Sequence, residues 1–98
     1  MVVKKCLGMQ ALCQKVSTDL LQADKTLKDK KHPLVARYRK VSQTKQQELD
    51  KLCLALKRMA ASPKTDWRQA KVCLSQALVA YKSGKAHLVE MAECAEAK

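Results

Sequence analysis

Thiols and imidazoles are the side chains of this sequence best suited to covalent or metal chemistry. The chain holds five cysteines and two histidines. A nucleophilic cysteine needs a base within hydrogen-bonding reach and a third group that orients the base. His87 and Cys73 share one predicted helix fourteen residues apart, which separates them by about 21 Å along its axis. His32 and Cys53 lie at opposite ends of another helix, and nothing in the sequence would orient His32 beside Cys94. We therefore predict that the protein is not an enzyme.

The spacing of these residues does not favour a metal site either. Structural zinc sites pair their ligands two to four residues apart, and no two cysteines or histidines of this chain come that close. Glu90, Glu93 and Glu96 place one acid on each turn, which is more typical of a solvated helix face. We expect no metal and no cofactor. Five cysteines without a C-x-x-C pair fit a reducing intracellular compartment, cytoplasm or nucleus, better than a disulfide framework.

Composition and the residues that interrupt helices predict the elements that position these side chains. The 98 residues are 47% hydrophobic and 30% charged, with two glycines, two prolines and no phenylalanine. Such a chain is too apolar for disorder and too poor in turn residues and aromatics for an all-β fold. Breaks at 30–33 and 61–63 leave segments of about 2–29, 33–60 and 63–96, with Ser62-Pro63 as a helix start signal. We predict one domain over 1–98, an all-α antiparallel three-helix bundle, up-down-up, with heptad packing.

Apolar residues repeat with a three-four spacing along each segment, which predicts the faces that pack together. In the first segment they are Cys6, Met9, Cys13, Val16, Leu20, Ala23 and Leu27. In the looser second segment they are Leu34, Tyr38, Val41, Leu49, Leu52, Leu56 and Met59. In the third they are Trp67, Ala70, Leu74, Ala77, Tyr81, Gly84, Leu88, Met91 and Ala95. The small residues Ala70, Ala77 and Gly84 indicate either close internal packing, which we favour, or a groove for a partner's helix.

Positive charge is the strongest functional feature of the sequence. The formal net charge is +11, and fifteen of the twenty basic residues lie in the first 64 positions against five acidic ones. An antiparallel bundle would gather them at its two ends. The first-choice binding surface, which we call the tryptophan end, has Asp66 as its only acid; it consists of Lys4, Lys5, Lys57, Arg58, Lys64, Trp67, Arg68 and Lys71. Trp67 there could stack on a base or a partner side chain, but we favour a role in capping the core.

The second-choice surface is the densest run of basic residues in the sequence. We call it the first-turn cluster; it consists of Lys28, Lys30, Lys31, Arg37, Arg39 and Lys40. Arginines in the early turns of a helix could hold a phosphate or carboxylate. The predicted topology brings Glu90, Glu93 and Glu96 to the same end, where we expect them to neutralise part of the cluster.

A chain with this charge attracts polyanions. The first hypothesis is an interaction module, adaptor or chaperone-like, that docks an acidic protein partner. The alternative is non-specific nucleic-acid binding through phosphate contacts, and an anionic membrane surface ranks third. We prefer the first because the basic residues are scattered over all faces of two segments, whereas a nucleic-acid binder gathers them on one stripe. Uninterrupted heptads leave self-association open as well.

Overall fold

The computed structural model describes residues 2–62, 64 and 66–96 and consists of three long helices. Helix α1 spans Val2–Leu27, α2 spans Val35–Ala61 and α3 spans Trp67–Glu96. Each helix packs against both others, in a rod with extents of 52 × 17 × 16 Å. The predicted all-α three-helix bundle is confirmed.

Cross-helix contacts define the up-down-up order. Arg39 near the start of α2 donates to Asp24 near the end of α1 at 2.9 Å, and the Cys53 thiol in the second half of α2 donates to the Gln10 carbonyl in the first half of α1 at 3.5 Å, so α1 and α2 run antiparallel. Lys5 in the first turn of α1 lies over the ring of Trp67 in the first turn of α3, and further along both helices the Cys13 thiol donates to the Ala77 carbonyl at 3.7 Å, so α1 and α3 run parallel. The start of α1, the end of α2 and the start of α3 therefore meet at one end of the rod, which is the tryptophan end.

The start of α3 differs from the sequence prediction. Ser62 does not cap α3: it follows the end of α2, and its backbone N–H donates to the Arg58 and Met59 carbonyls at 3.1 and 3.3 Å. Pro63 lies outside the described residues. The cap of α3 is Asp66, whose carboxylate accepts a hydrogen bond from the Arg68 N–H at 3.0 Å. A carboxylate at this position satisfies a free N–H and complements the positive end of the helix dipole.

The core confirms the predicted stripe of α1 and corrects part of the other two. In α2, Leu34 precedes the helix and is exposed, Val35 is buried instead, and the fully buried Ser42 takes the central position that we gave to Val41. The Ser42 hydroxyl donates to the Leu20 carbonyl at 3.2 Å and accepts from Gln46 Nε2 at 3.1 Å. Two hydrogen bonds make a hydroxyl tolerable in that place.

Helix α3 is rotated from the predicted orientation. Its buried residues keep the three-four spacing but are mostly small: Ala70, Cys73, Ala77, Ala80, Gly84, His87, Met91 and Cys94. The bulkier Leu74, Tyr81, Leu88 and Ala95 of the predicted stripe are only partly buried. Ala70, Ala77, Gly84 and Met91 of the predicted stripe are buried as predicted. At Gly84 the fit is tight, because an added Cβ would lie 2.6 Å from Val16 Cγ1. The small residues of α3 are thus internal packing positions.

Candidate binding surfaces

Trp67 stands on the surface of the tryptophan end. Its side chain is 42% exposed and does not belong to the core, so the core-capping role that we favoured is wrong. Lys5 Nζ of α1 and Lys71 Nζ of α3 each lie 5.5 Å from the centre of its ring. Such cation–π contacts stabilise an exposed ring by about 0.5–1 kcal/mol each. Two ammonium groups therefore lie against the exposed ring.

The other basic residues of the tryptophan end come from all three helices. Lys4 and Lys5 lie in the first turn of α1, and Lys57 and Arg58 lie in the last two turns of α2. Arg68 and Lys71 lie in the first two turns of α3, and Lys64 lies in the connection between α2 and α3. All seven are exposed. Neither α1 nor α3 has an acid in its first turn. Two positive helix dipole ends therefore add to the side-chain charge, and Asp66 is engaged in capping α3.

The first-turn cluster contains one arginine with a structural partner. Arg39 Nε donates to Asp24 Oδ1 at 2.9 Å, and the side chains are 32% and 12% exposed. Arg39 therefore neutralises a mostly buried carboxylate of α1. The other members, Lys28, Lys30, Lys31, Arg37 and Lys40, are exposed.

The glutamates of α3 do not neutralise this cluster through ion pairs in the described part of the chain. The ion pairs found there are Arg39–Asp24 and His87–Glu90, the latter with 3.6 Å between Nδ1 and Oε1. Glu90 and Glu93 instead line a shallow depression at the first turn, together with His32, Leu34, Tyr38 and Cys94. The expected masking of the cluster by direct pairing is not found among these residues.

The two histidines have structural partners. His32 Nδ1 accepts a hydrogen bond from the Leu34 N–H at 3.1 Å, which shapes the turn before α2. His87 is 3% exposed, and its Nε2 donates to the Tyr38 carbonyl at 2.9 Å. The rings of His87 and Tyr38 also meet edge to face, with centroids 5.5 Å apart. His87 thus joins α3 to α2, a role that its spacing in the sequence did not reveal.

The five cysteines are free and buried. Burial raises the pKa of the Cys13 thiol to about 11, and the nearby Cys53 and Cys73 raise it further in the same direction. Burial also raises the pKa of Cys53 and of Cys73. These thiols are protonated at neutral pH, whereas the thiolate is the nucleophile and the metal ligand. Within 2–62, 64 and 66–96, no three His, Cys, Asp or Glu side chains are grouped so that they could hold a metal ion.

A depression beside the tryptophan end lies between α2 and α3. We call it the α2–α3 groove. Its volume is about 480 Å³, and it is lined by Leu52, Ala55, Met59, Arg68, Gln69, Val72, Cys73 and Gln76. Arg68 belongs to the binding surface predicted from the sequence, whereas the other lining residues were not predicted to bind a partner. Val72 could have indicated this apolar surface, because it is an apolar residue outside the predicted stripe of α3 and lies one helical turn after Arg68.

In the part of the chain that the structure describes, no helix combines the length and the hydropathy needed to cross a bilayer. No family model, curated protein or solved structure matches the chain significantly.

Proposed function

We propose that this protein is a non-enzymatic helical interaction module that docks an acidic protein partner at its tryptophan end. The observation that carries the proposal is Trp67, which is exposed and in contact with the ammonium groups of Lys5 and Lys71. Tryptophan and arginine are the residues that most often dominate binding energy at protein interfaces. Here both occur on a surface with seven basic residues and one acid.

Charge and shape together support a protein over a nucleic acid. Proteins that bind single-stranded nucleic acid without sequence preference use several aromatic platforms for successive bases. The tryptophan end has a single aromatic residue, and lysines already lie against its ring. The neighbouring α2–α3 groove is mostly apolar, and phosphates gain nothing from an apolar groove. An acidic protein can use both the charge and the groove.

A binding comparison tests this proposal. A fluorescent peptide of about 18 residues, five helical turns, rich in glutamate and leucine, is titrated with the protein at about 50 and 200 mM salt. A DNA duplex is the second ligand under the same conditions. We expect the protein to bind the peptide more tightly than the DNA duplex at both salt concentrations. Tighter DNA binding that collapses as salt rises would instead establish the nucleic-acid alternative.

Two triple variants test the surface. The first replaces Arg58, Lys64 and Arg68 by alanine. The second replaces Lys31, Arg37 and Lys40, which removes the same charge but spares the Arg39–Asp24 ion pair. We expect the first variant to weaken peptide binding at least about tenfold and the second only slightly, since contact charges matter more than net charge. The opposite ranking would assign the partner to the first-turn cluster.

A further inference from the structure

We infer that the α2–α3 groove receives an amphipathic acidic α-helix of the partner, whose apolar stripe packs between α2 and α3 while its carboxylates meet Arg68 and its basic neighbours. This inference rests on the proposed function and specifies the partner's chemistry. Binding in the groove would add apolar contacts to the contacts between opposite charges.

The dimensions of the groove match a short helical stripe. On α2 the lining residues extend from Leu52 to Met59, and on α3 from Arg68 to Gln76. These stretches rise about 10.5 and 12 Å along their helices. Apolar residues at i, i+3 or i+4, and i+7 of a docked helix span the same distance. The hydrogen bond from Lys45 Nζ to Ser83 Oγ joins α2 to α3 about two turns beyond this stretch.

The form of the groove favours a helix over a small molecule. It is an open trough rather than an enclosed cavity, whereas small-molecule sites surround most of the ligand surface. A trough between two packed helices is the place where a further helix completes a bundle. Val72 on its wall is 58% exposed, so a docked helix would bury apolar surface that now faces water.

Charge complementarity sets the character of that helix. Among the residues that line the groove, Arg68 is charged and none is acidic. Arg58 and Lys64 lie nearby, in the last turn of α2 and in the connection to α3. A second copy of this chain would bring its own basic end against these residues, and like charges across an interface are costly. An acidic helix is attracted by them.

The test uses two peptides of identical composition and the whole protein. In the striped peptide, leucines recur at i, i+3 and i+7 on a glutamate-rich helix. In the scrambled peptide, the same residues have no common face. We expect the striped peptide to bind at least about tenfold more tightly, since only it can bury its leucines together. Equal binding would overturn the groove inference while leaving an acidic partner in place.

Two valines of α3 provide matched variants. Val72 and Val89 are 58% and 59% exposed, but Val89 does not line the groove. Val72→Asp places a carboxylate in the groove, so we expect it to weaken striped-peptide binding about tenfold, with Val89→Asp close to wild type. Because both valines are exposed, circular dichroism of both variants should match wild type.

Three other results would distinguish the groove inference from the proposed function. Equal losses in Val72→Asp and Val89→Asp would overturn the groove but not the module. A dimer of the wild-type chain that Val72→Asp dissociates, measured by light scattering, would make a second copy the occupant and overturn the inference. Binding of the DNA duplex but of neither peptide would overturn both the groove and the proposed function.

Discussion

The contact between α3 and α1 at Gly84 gives a sharp test of the packing. An alanine in a helix interior is favoured over glycine by about 1 kcal/mol. At Gly84, however, the added Cβ would lie 2.6 Å from Val16 Cγ1 and 3.4 Å from Leu49 Cδ1. Apolar carbons prefer a separation of about 3.5–4.0 Å, so the nearer contact is about 1 Å too short.

The structure offers little relief for that contact. Val16 is 3% exposed, and a β-branched side chain in a helix has one strongly preferred rotamer. Overpacking of this kind costs about 1–3 kcal/mol, which exceeds or cancels the gain in helix propensity. We expect Gly84→Ala to lower the free energy of unfolding by about 0–2 kcal/mol.

Gly8 provides the matched control, since a Cβ there meets no atom within 4 Å. We expect Gly8→Ala to raise the free energy of unfolding by about 1 kcal/mol. Urea unfolding followed by circular dichroism measures both changes. In a double-mutant cycle, Val16→Ala removes the clashing methyl group and should rescue Gly84→Ala by about 1–2 kcal/mol relative to additivity. A Gly84→Ala variant as stable as Gly8→Ala, with no coupling to Val16, would refute this account of how α3 packs.

Three further predictions concern buried polar and titratable groups. Arg39→Met should lower the free energy of unfolding by about 1–3 kcal/mol more than Arg37→Met, because it leaves the mostly buried carboxylate of Asp24 without its partner; equal urea midpoints would contradict this. Ser42→Ala should cost about 1 kcal/mol through the lost hydrogen bond to the Leu20 carbonyl, while alanine at the exposed Ser75 should cost almost nothing in the same assay. The pKa of Cys13 rises on folding from 9.0 to about 11, so its contribution to stability is complete below pH 9 and is lost as pH approaches 11. The stability difference between wild type and Cys13→Ala should therefore narrow over that interval in urea titrations, and a constant difference would contradict the pKa shift.

Periodicity predicted the helices well because it depends on local spacing. In α1 the predicted apolar stripe is the one that lies in the core, with Met9 and Ala23 at its edges. In α3 the same reasoning placed Trp67, Leu74 and Tyr81 inside, because bulky apolar side chains ordinarily give more free energy on burial. The structure instead buries Cys73, Ala80, His87 and Cys94. Each lies one residue before a bulkier or more apolar member of the predicted stripe, and spacing along one helix does not distinguish two such adjacent faces.

Of the candidate site, the sequence predicted the charged part and missed the apolar part. Basic residues near helix ends can be assigned to an end once the topology is guessed, and Arg68 and Lys71 were placed in this way. The exposure of Trp67 depends on the rotation of α3, and so does the position of Val72 beside α2. The ion pair between Arg39 and Asp24 joins residues fifteen positions apart on different helices, and no local sequence pattern indicates that pair.

The sequence by itself thus determined the three helices, their order in the bundle and the excess of positive charge, because each depends on residue type and on spacing within a few turns. Only the tertiary structure decided which face of α3 is buried, since that depends on the combined volume of side chains from three helices. The same fit leaves Trp67 exposed and in contact with two lysines, and it forms the α2–α3 groove nearby.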